Sequence, residues 1–238
     1  MHNSLFILFS LLFFFSCKQS QTVSEEKTNI QLPPPNPLVR FEDVILKYEA
    51  QDKENPPQKG GIVFCGSSSI RMWRSLAEDL APLNVINRGF GGSTFPELIH
   101  YADRIIFPYE PSCIVVYEGD NDITSDKILP GHVLANLKRF HKKVQEQQPG
   151  TKVWFIAVKP SVARKHLYDK LVKTNTMIQE YIESVPELEY LDVATPMLTD
   201  EGEIRTDIFI KDNLHMNATG YEIWTKVIRP VMMAECGG

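Results

Sequence analysis

The sequence predicts an α/β fold: one five-stranded parallel sheet with helices on both faces, making three layers. Two observations carry this. Short apolar runs of strand length alternate with longer amphipathic stretches, five times along the chain, the signature of successive strand–helix–strand units. The apolar runs are also continuous and rich in β-branched residues, as expected of strands covered on both faces.

The elements follow in order. Residues 41–50 put Phe41, Val44, Ile45 and Tyr48 on one side of a short helix, and Asn55-Pro56-Pro57 ends it. Strands are expected at 61–65, 84–87, 113–118, 152–158 and 189–193, where the apolar runs fall. Helical patterns occupy 69–80, 96–106, 133–147 and 167–184. A closing helix runs from 218 to about 233, with Asn217 as its N-cap.

With 238 residues the chain is long enough for one sizeable domain, placed at 38–238. Residues 5–15 are apolar apart from Ser10. That is too short for a bilayer-spanning helix, which needs about 20 residues, but it has the length of a secretory core. It ends in Phe14-Phe15-Ser16-Cys17, which resembles a bacterial lipobox, with Cys17 as the lipidated residue. Residues 1–17 are therefore read as a lipoprotein-type signal, with a plain cleaved signal or an uncleaved anchor as alternatives. The leading Met1-His2-Asn3-Ser4 lacks the usual basic residue. Residues 18–37 are polar and then Pro-rich, a tether that would hold the domain off a membrane. The expected location is the bacterial cell envelope, anchored by lipid.

The formal net charge is −5, with no basic stripe, which argues against a nucleic-acid partner. The four cysteines, Cys17, Cys65, Cys113 and Cys236, fit no zinc spacing and include no CxxC. Cys65 and Cys113 fall at opposite ends of neighbouring strands, so they are not expected to pair. Both read as buried small residues.

Three polar clusters follow the strands, where a parallel sheet binds its ligands, and a fourth stands just ahead of the closing helix. Gly66-Ser67-Ser68-Ser69 joins the first strand to a helix: Gly66 allows a sharp turn, and Ser68 meets the free amides of a helix start. Gly91-Gly92-Ser93-Thr94 follows the second strand, where a glycine lets an amide approach a ligand oxygen. Gly119-Asp120-Asn121-Asp122 follows the third and offers Asn121 as a neutral donor. Asp212-Asn213-Leu214-His215 comes last, its carboxylate placed to orient the imidazole. Taken singly, each cluster is equally readable as a helix cap, a tight turn, an Asx turn or a surface pair. Glu118, Asp120 and Asp122 lack calcium-loop spacing. Together, in this order, the clusters supply a hydroxyl, a base with its carboxylate, and hydrogen-bond donors, as acyl transfer requires.

This order and content resemble the SGNH (GDSL-type) hydrolase family of esterases and lipases, from about residue 60 to the C-terminus. The stretch from Asn55 to Trp73 resembles a bacterial branch related to platelet-activating-factor acetylhydrolase-like proteins. The resemblance implies a flavodoxin-like three-layer sandwich and a serine esterase with Ser68 as nucleophile and Asp212 and His215 completing the triad. It implies an oxyanion hole from the Ser68 and Gly92 amides and the Asn121 side chain, and no metal or other cofactor. Ser67 and Ser93 stand where the family commonly has Asp, which puts the bracing of the nucleophile turn in question, and Met216 stands where Pro is frequent.

No long insertion interrupts the elements, so a shallow cleft suited to short acyl groups, acetyl above all, is expected. The expected substrates are small esters or acetylated glycans. A lysophospholipase-like enzyme and a non-catalytic glycan-binding protein are the rival readings. Trp73, Phe90 and Phe95 either line the acyl pocket or pack in the core. Lys159, Arg164, Lys165 and His166 either meet an anionic sugar or form a solvated charged loop.

Overall fold

The computed structural model describes residues 39–237. The expected signal segment, the tether and Cys17 lie outside the described residues. The sheet consists of β1 (Ile62–Gly66), β2 (Val85–Gly89), β3 (Cys113–Tyr117), β4 (Lys152–Ile156) and β5 (Leu188–Leu191). The strands lie in the order β2-β1-β3-β4-β5, all neighbours parallel. This is the predicted five-stranded α/β architecture. Every residue of β1 and of β3 is buried, which is why these strands show no polar alternation.

Successive strand residues feed opposite cores, as the pleat dictates. Val63, Cys65, Ile114, Val116, Val153 and Phe155 face one cluster. It is completed by α1 (Glu42–Glu54), α4 (Phe95–Ile105), α5 (Pro130–Gln147) and α6 (Tyr168–Ile182). Ile62, Phe64, Val115, Tyr117, Trp154 and Ile156 face the other. Two one-turn helices, α2 (Ser68–Arg71) and α3 (Leu76–Asp79), and the long α7 (Ala218–Glu235) cover that side.

Most boundaries fall within a few residues of expectation, but the continuous helix expected over 69–80 is not formed. It divides into α2 and α3 around Trp73. That side chain is 1% exposed and packs against Phe64, Tyr221 and Trp224, while its indole N–H donates to Asp79 at 2.6 Å. Burying the indole against the sheet outweighs helix continuity, a tertiary override of a local pattern.

Asn217 caps α7 as expected, its side chain accepting from the Gly220 amide. The expectation for Cys113 is corrected. It forms a disulfide with Cys236, joining the start of β3 to the end of α7. Cys65 is buried and free. The pairing was invisible in the sequence because 123 residues separate the partners. Among the described residues no helix is long and apolar enough to cross a membrane.

Candidate active site

β1 ends in a turn that only glycine can make. Gly66 has φ +129, and a Cβ there would lie 2.0 Å from the Tyr117 carbonyl oxygen. The next amide, Ser67 N–H, donates to that same carbonyl, so the turn is fastened to β3 by backbone alone. Ser67 and Ser69 are 1% and 2% exposed, whereas Ser68 between them is half-buried. Of the three serines, Ser68 is the one whose hydroxyl meets a histidine: its Oγ lies 3.0 Å from His215 Nε2.

The loop before α7 brings the histidine there. His215 Nδ1 lies 2.6 Å from Asp212 Oδ2, and Asp212 Oδ1 accepts the Leu214 and His215 amides, each at 2.9 Å. Partial burial pushes the Asp212 pKa up. The ring hydrogen bond and the two amides outweigh it and bring the carboxyl down to about 2. The carboxylate is thus ionised at neutral pH and accepts Nδ1–H, which leaves the Nε2 lone pair facing Ser68. Asn213 sits at φ +56, a left-handed position that Asn tolerates. The Ile210 amide bonds the His215 carbonyl, and the Asn213 amide bonds the Ile210 carbonyl, both at 2.9 Å.

The candidate donors follow β1, β2 and β3, whose ends lie in register at one edge of the sheet. No described residue accepts from the amides of Ser68 or Gly92. Gly92 adopts φ +88 with open space where a Cβ would point, and it is half-buried. Asn121 donates one Nδ2 hydrogen to the Ser93 carbonyl at 2.8 Å, and its second remains for another acceptor.

The donor turns are braced from below. Ser93, standing where an Asp is common in the family, donates its hydroxyl to Glu118 at 2.5 Å. Burial first, then the neighbouring Asp122, raise the Glu118 pKa well above the carboxylate range. Asp122 accepts the Phe95 amide at 3.2 Å through both oxygens. Burial lifts its pKa to about 7, against that hydrogen bond. Arg40 donates to the Gly92 carbonyl at 2.9 Å and to Glu97. Glu97 in turn accepts the Thr94 amide in the capping box of α4. The three acidic residues Glu118, Asp120 and Asp122 therefore diverge to different partners. Among the described residues no cluster of three or more His, Cys, Asp or Glu side chains could hold a metal ion.

Two expectations are corrected. Trp73, Phe90 and Phe95 do not line a pocket. All three are at most 1% exposed, Phe90 packing on Phe41 and Tyr101 and Phe95 stacking on Phe155. The basic residues after β4 are not one solvated loop either. Lys165 is exposed and paired with Glu203, but Lys159 is 1% exposed and Arg164 is turned inward onto Asp120 and Asn121. Sequence reasoning missed these contacts because nothing local distinguishes an inward cation from an outward one.

A cavity of about 160 Å³ adjoins Asn121, lined also by Thr94, Pro96, Ser125, Ile128 and His132.

The comparisons with known proteins agree with this fold. Residues 59–223 match the model of the GDSL-like lipase/acylhydrolase family. Among solved structures, a Streptococcus pneumonia protein named for platelet activating factor superposes with a TM-score of 0.71 at 20% identity, over 80% of this chain and 92% of that one. A GDSL-like lipase from Bacteroides thetaiotaomicron gives 0.68 at 18% identity, over 80% and 97%. An acetylxylan esterase from Geobacillus stearothermophilus gives 0.59 at 12%, over 76% and 96%. Among curated proteins, none matches. With more than half its length matched by the family model, this chain belongs to the GDSL-like lipase/acylhydrolase family and is a carboxylic ester hydrolase.

Proposed function

We propose that the protein removes short acyl groups, chiefly acetyl, from esters on glycans, through an acyl-enzyme on Ser68. The observation that carries this is the line from Asp212 to His215 to Ser68, at 2.6 and 3.0 Å. Ser68 Oγ attacks the ester carbonyl as His215 Nε2 takes its proton. Asp212 supports the imidazolium. The oxyanion is held by the amides of Ser68 and Gly92 and by Asn121 Nδ2. His215 then returns the proton to the leaving alkoxide, and water repeats the sequence on the acyl-enzyme.

Three features support a short acyl group on a bulky alcohol. The cavity beside Asn121 holds about 160 Å³, room for about six heavy atoms, since a cavity of about 150 Å³ takes a benzene. The base side is open, Asp212 being 43% exposed, so a large leaving group meets no wall there. A protein of the same fold is an acetylxylan esterase. The test is a p-nitrophenyl ester series together with acetate release from acetylated oligosaccharides, each run on the wild type and Ser68→Ala. Rates should fall from acetyl to longer chains, and Ser68→Ala should lose on the order of 10⁶ in turnover, as in a comparable triad. A preference for long chains overturns the short-acyl reading, and an active Ser68→Ala overturns the serine mechanism.

The same reading places the enzyme in the cell envelope, tethered by a lipid on Cys17. The Cys113–Cys236 disulfide supports an oxidising compartment. The mass of the mature N-terminus tests this: an unmodified Cys17, or a start beyond it, excludes the anchor.

A further inference from the structure

Between the two halves of the site lies a buried group of charges to which nothing so far gives a task. Asp120 follows β3 and keeps 7% of its side chain exposed. Tyr117 donates its hydroxyl to Asp120 Oδ2 at 3.1 Å, and Lys159 Nζ stands 3.6 Å from the same oxygen. Arg164 pairs with the other oxygen and donates to the Asp120 backbone carbonyl at 2.7 Å. Desolvation opposes ionisation of Asp120, but Lys159 and Arg164 together outweigh it and lower its pKa, so the group is a carboxylate between two cations.

The second arm of the Arg164 fork reaches the site. Its Nη2 donates to Asn121 Oδ1 at 2.9 Å. A primary amide has two nearly isosteric orientations, and which one it adopts depends on its partners. Here a cationic donor holds the oxygen, and the Ser93 carbonyl holds one hydrogen of the nitrogen at 2.8 Å. Reversing the amide would set its NH₂ against a guanidinium and its oxygen against a carbonyl, two repulsive contacts in place of two bonds. The rigid, planar guanidinium suits this double duty, because one fork spans a carboxylate and an amide that a single ammonium could not.

We infer that Arg164 is the positioning residue of the oxyanion hole: anchored on Asp120, it grips Asn121 by its oxygen and keeps Nδ2 turned toward the site. The inference rests on the esterase reading of that site and assigns Arg164 no contact with substrate. The turn that carries Arg164 also touches the base loop. The Ala163 amide donates to the Asn213 carbonyl at 3.0 Å, and Lys159 donates to the Leu214 carbonyl at 2.8 Å. One segment after β4 thus ties the donor side to the residues that flank His215.

The decisive experiment is a double-mutant cycle on the full chain with p-nitrophenyl acetate. Arg164→Met should lower kcat by about tenfold or more with KM changed less than about threefold, because the lost alignment matters in the transition state. In an Asn121→Ala background the same change should cost less than about twofold, since the group it aligns is gone. Equal losses in both backgrounds overturn the inference. Should Arg164→Met fail to fold, Arg164→Lys keeps a cation beside Asp120 without the fork. It should melt near wild type yet retain the kcat loss, and a wild-type kcat in that variant overturns the inference. A readout independent of turnover is the side-chain NH₂ of Asn121 by NMR. Its two signals should be displaced from free-amide positions and exchange slowly with solvent in the wild type, and should move toward free-amide positions with faster solvent exchange in Arg164→Lys; unchanged signals count against the role. Retained turnover in Ser68→Ala sinks the esterase reading alone, leaving the NMR comparison to decide the positioning of Asn121.

Discussion

Asp120 and Asp212 are both carboxylates at the rim of the same sheet, yet 7% of the first side chain is exposed and 43% of the second. The difference runs through the two halves of the site. On the donor side, Ser93, Glu118, Asp120 and Asp122 are buried, and three of the bonds cross between segments far apart in sequence: Ser93 to Glu118, Phe95 to Asp122, Arg164 to Asn121. On the base side, Asp212 orients His215 from three residues away and accepts two amides of its own turn. A donor array stabilises charge only if it does not reorganise during the reaction, so it needs rigid, dry support. A base must meet the substrate and exchange a proton, so it sits on an open loop whose orienting bonds are local, with Ala163 and Lys159 holding only the carbonyls that flank His215.

This contrast can be broken by experiment. The largest effect is expected on the base side. Asp212→Ala removes both the imidazole's orienting partner and the acceptor for two amides, and turnover should fall on the order of 10⁴. Steady-state kinetics on an acetyl ester measures it, and a loss below about tenfold would mean that the loop's backbone bonds alone position His215. On the donor side, Asn121→Ala should cost about 10²–10³ in kcat, the usual value of one oxyanion donor, with KM little changed. A pure KM effect would move Asn121 from the oxyanion to substrate binding.

Burial of the donor side carries a pH signature. The Asp122 pKa of about 7 lies above the ordinary aspartate value of about 3.9. Between these values the folded protein keeps a proton that the unfolded chain releases. That contribution to stability is fully present below about pH 4 and is lost as the pH rises toward 7. Asp122→Asn abolishes the loss and retains an oxygen for the Phe95 amide. The variant should therefore gain on the wild type from pH 4 to 7, by an amount on the order of a few kcal/mol, and no further above that. Urea unfolding at pH 4.5, 6 and 8 measures the difference, and a constant difference would show that Asp122 is ionised throughout. The smallest effect belongs to the loop's anchor. Asn217→Ala removes the α7 cap and should cost about 1 kcal/mol, with kcat nearly unchanged if the base loop is held by its own bonds.

The fold class and the polar groups that meet at the candidate site were legible in the linear chain because their signals are local. Strand runs and helical periods report burial within ten residues. Gly66-Ser67-Ser68-Ser69 and Asp212-Asn213-Leu214-His215 each carry turn chemistry and a reactive group within four. Asn217 as a cap was equally readable, since a cap acts three residues ahead. What remained hidden was everything fixed by distance in space. Trp73 interrupts its helix to reach Trp224. Cys113 finds Cys236 across 123 residues. Phe90 and Phe95 fill the core instead of a pocket. Lys159 and Arg164 turn inward, toward an aspartate some forty positions earlier.

By itself, the sequence of this protein determined the order of strands and helices and the chemical groups that reach the carboxyl end of the sheet, because periodicity and turn chemistry act between near neighbours. Only the tertiary structure decided which cysteines pair, which way the Asn121 amide points, and which charges are buried. Those outcomes depend on packing and solvation at contacts between segments that meet only when the sheet is assembled.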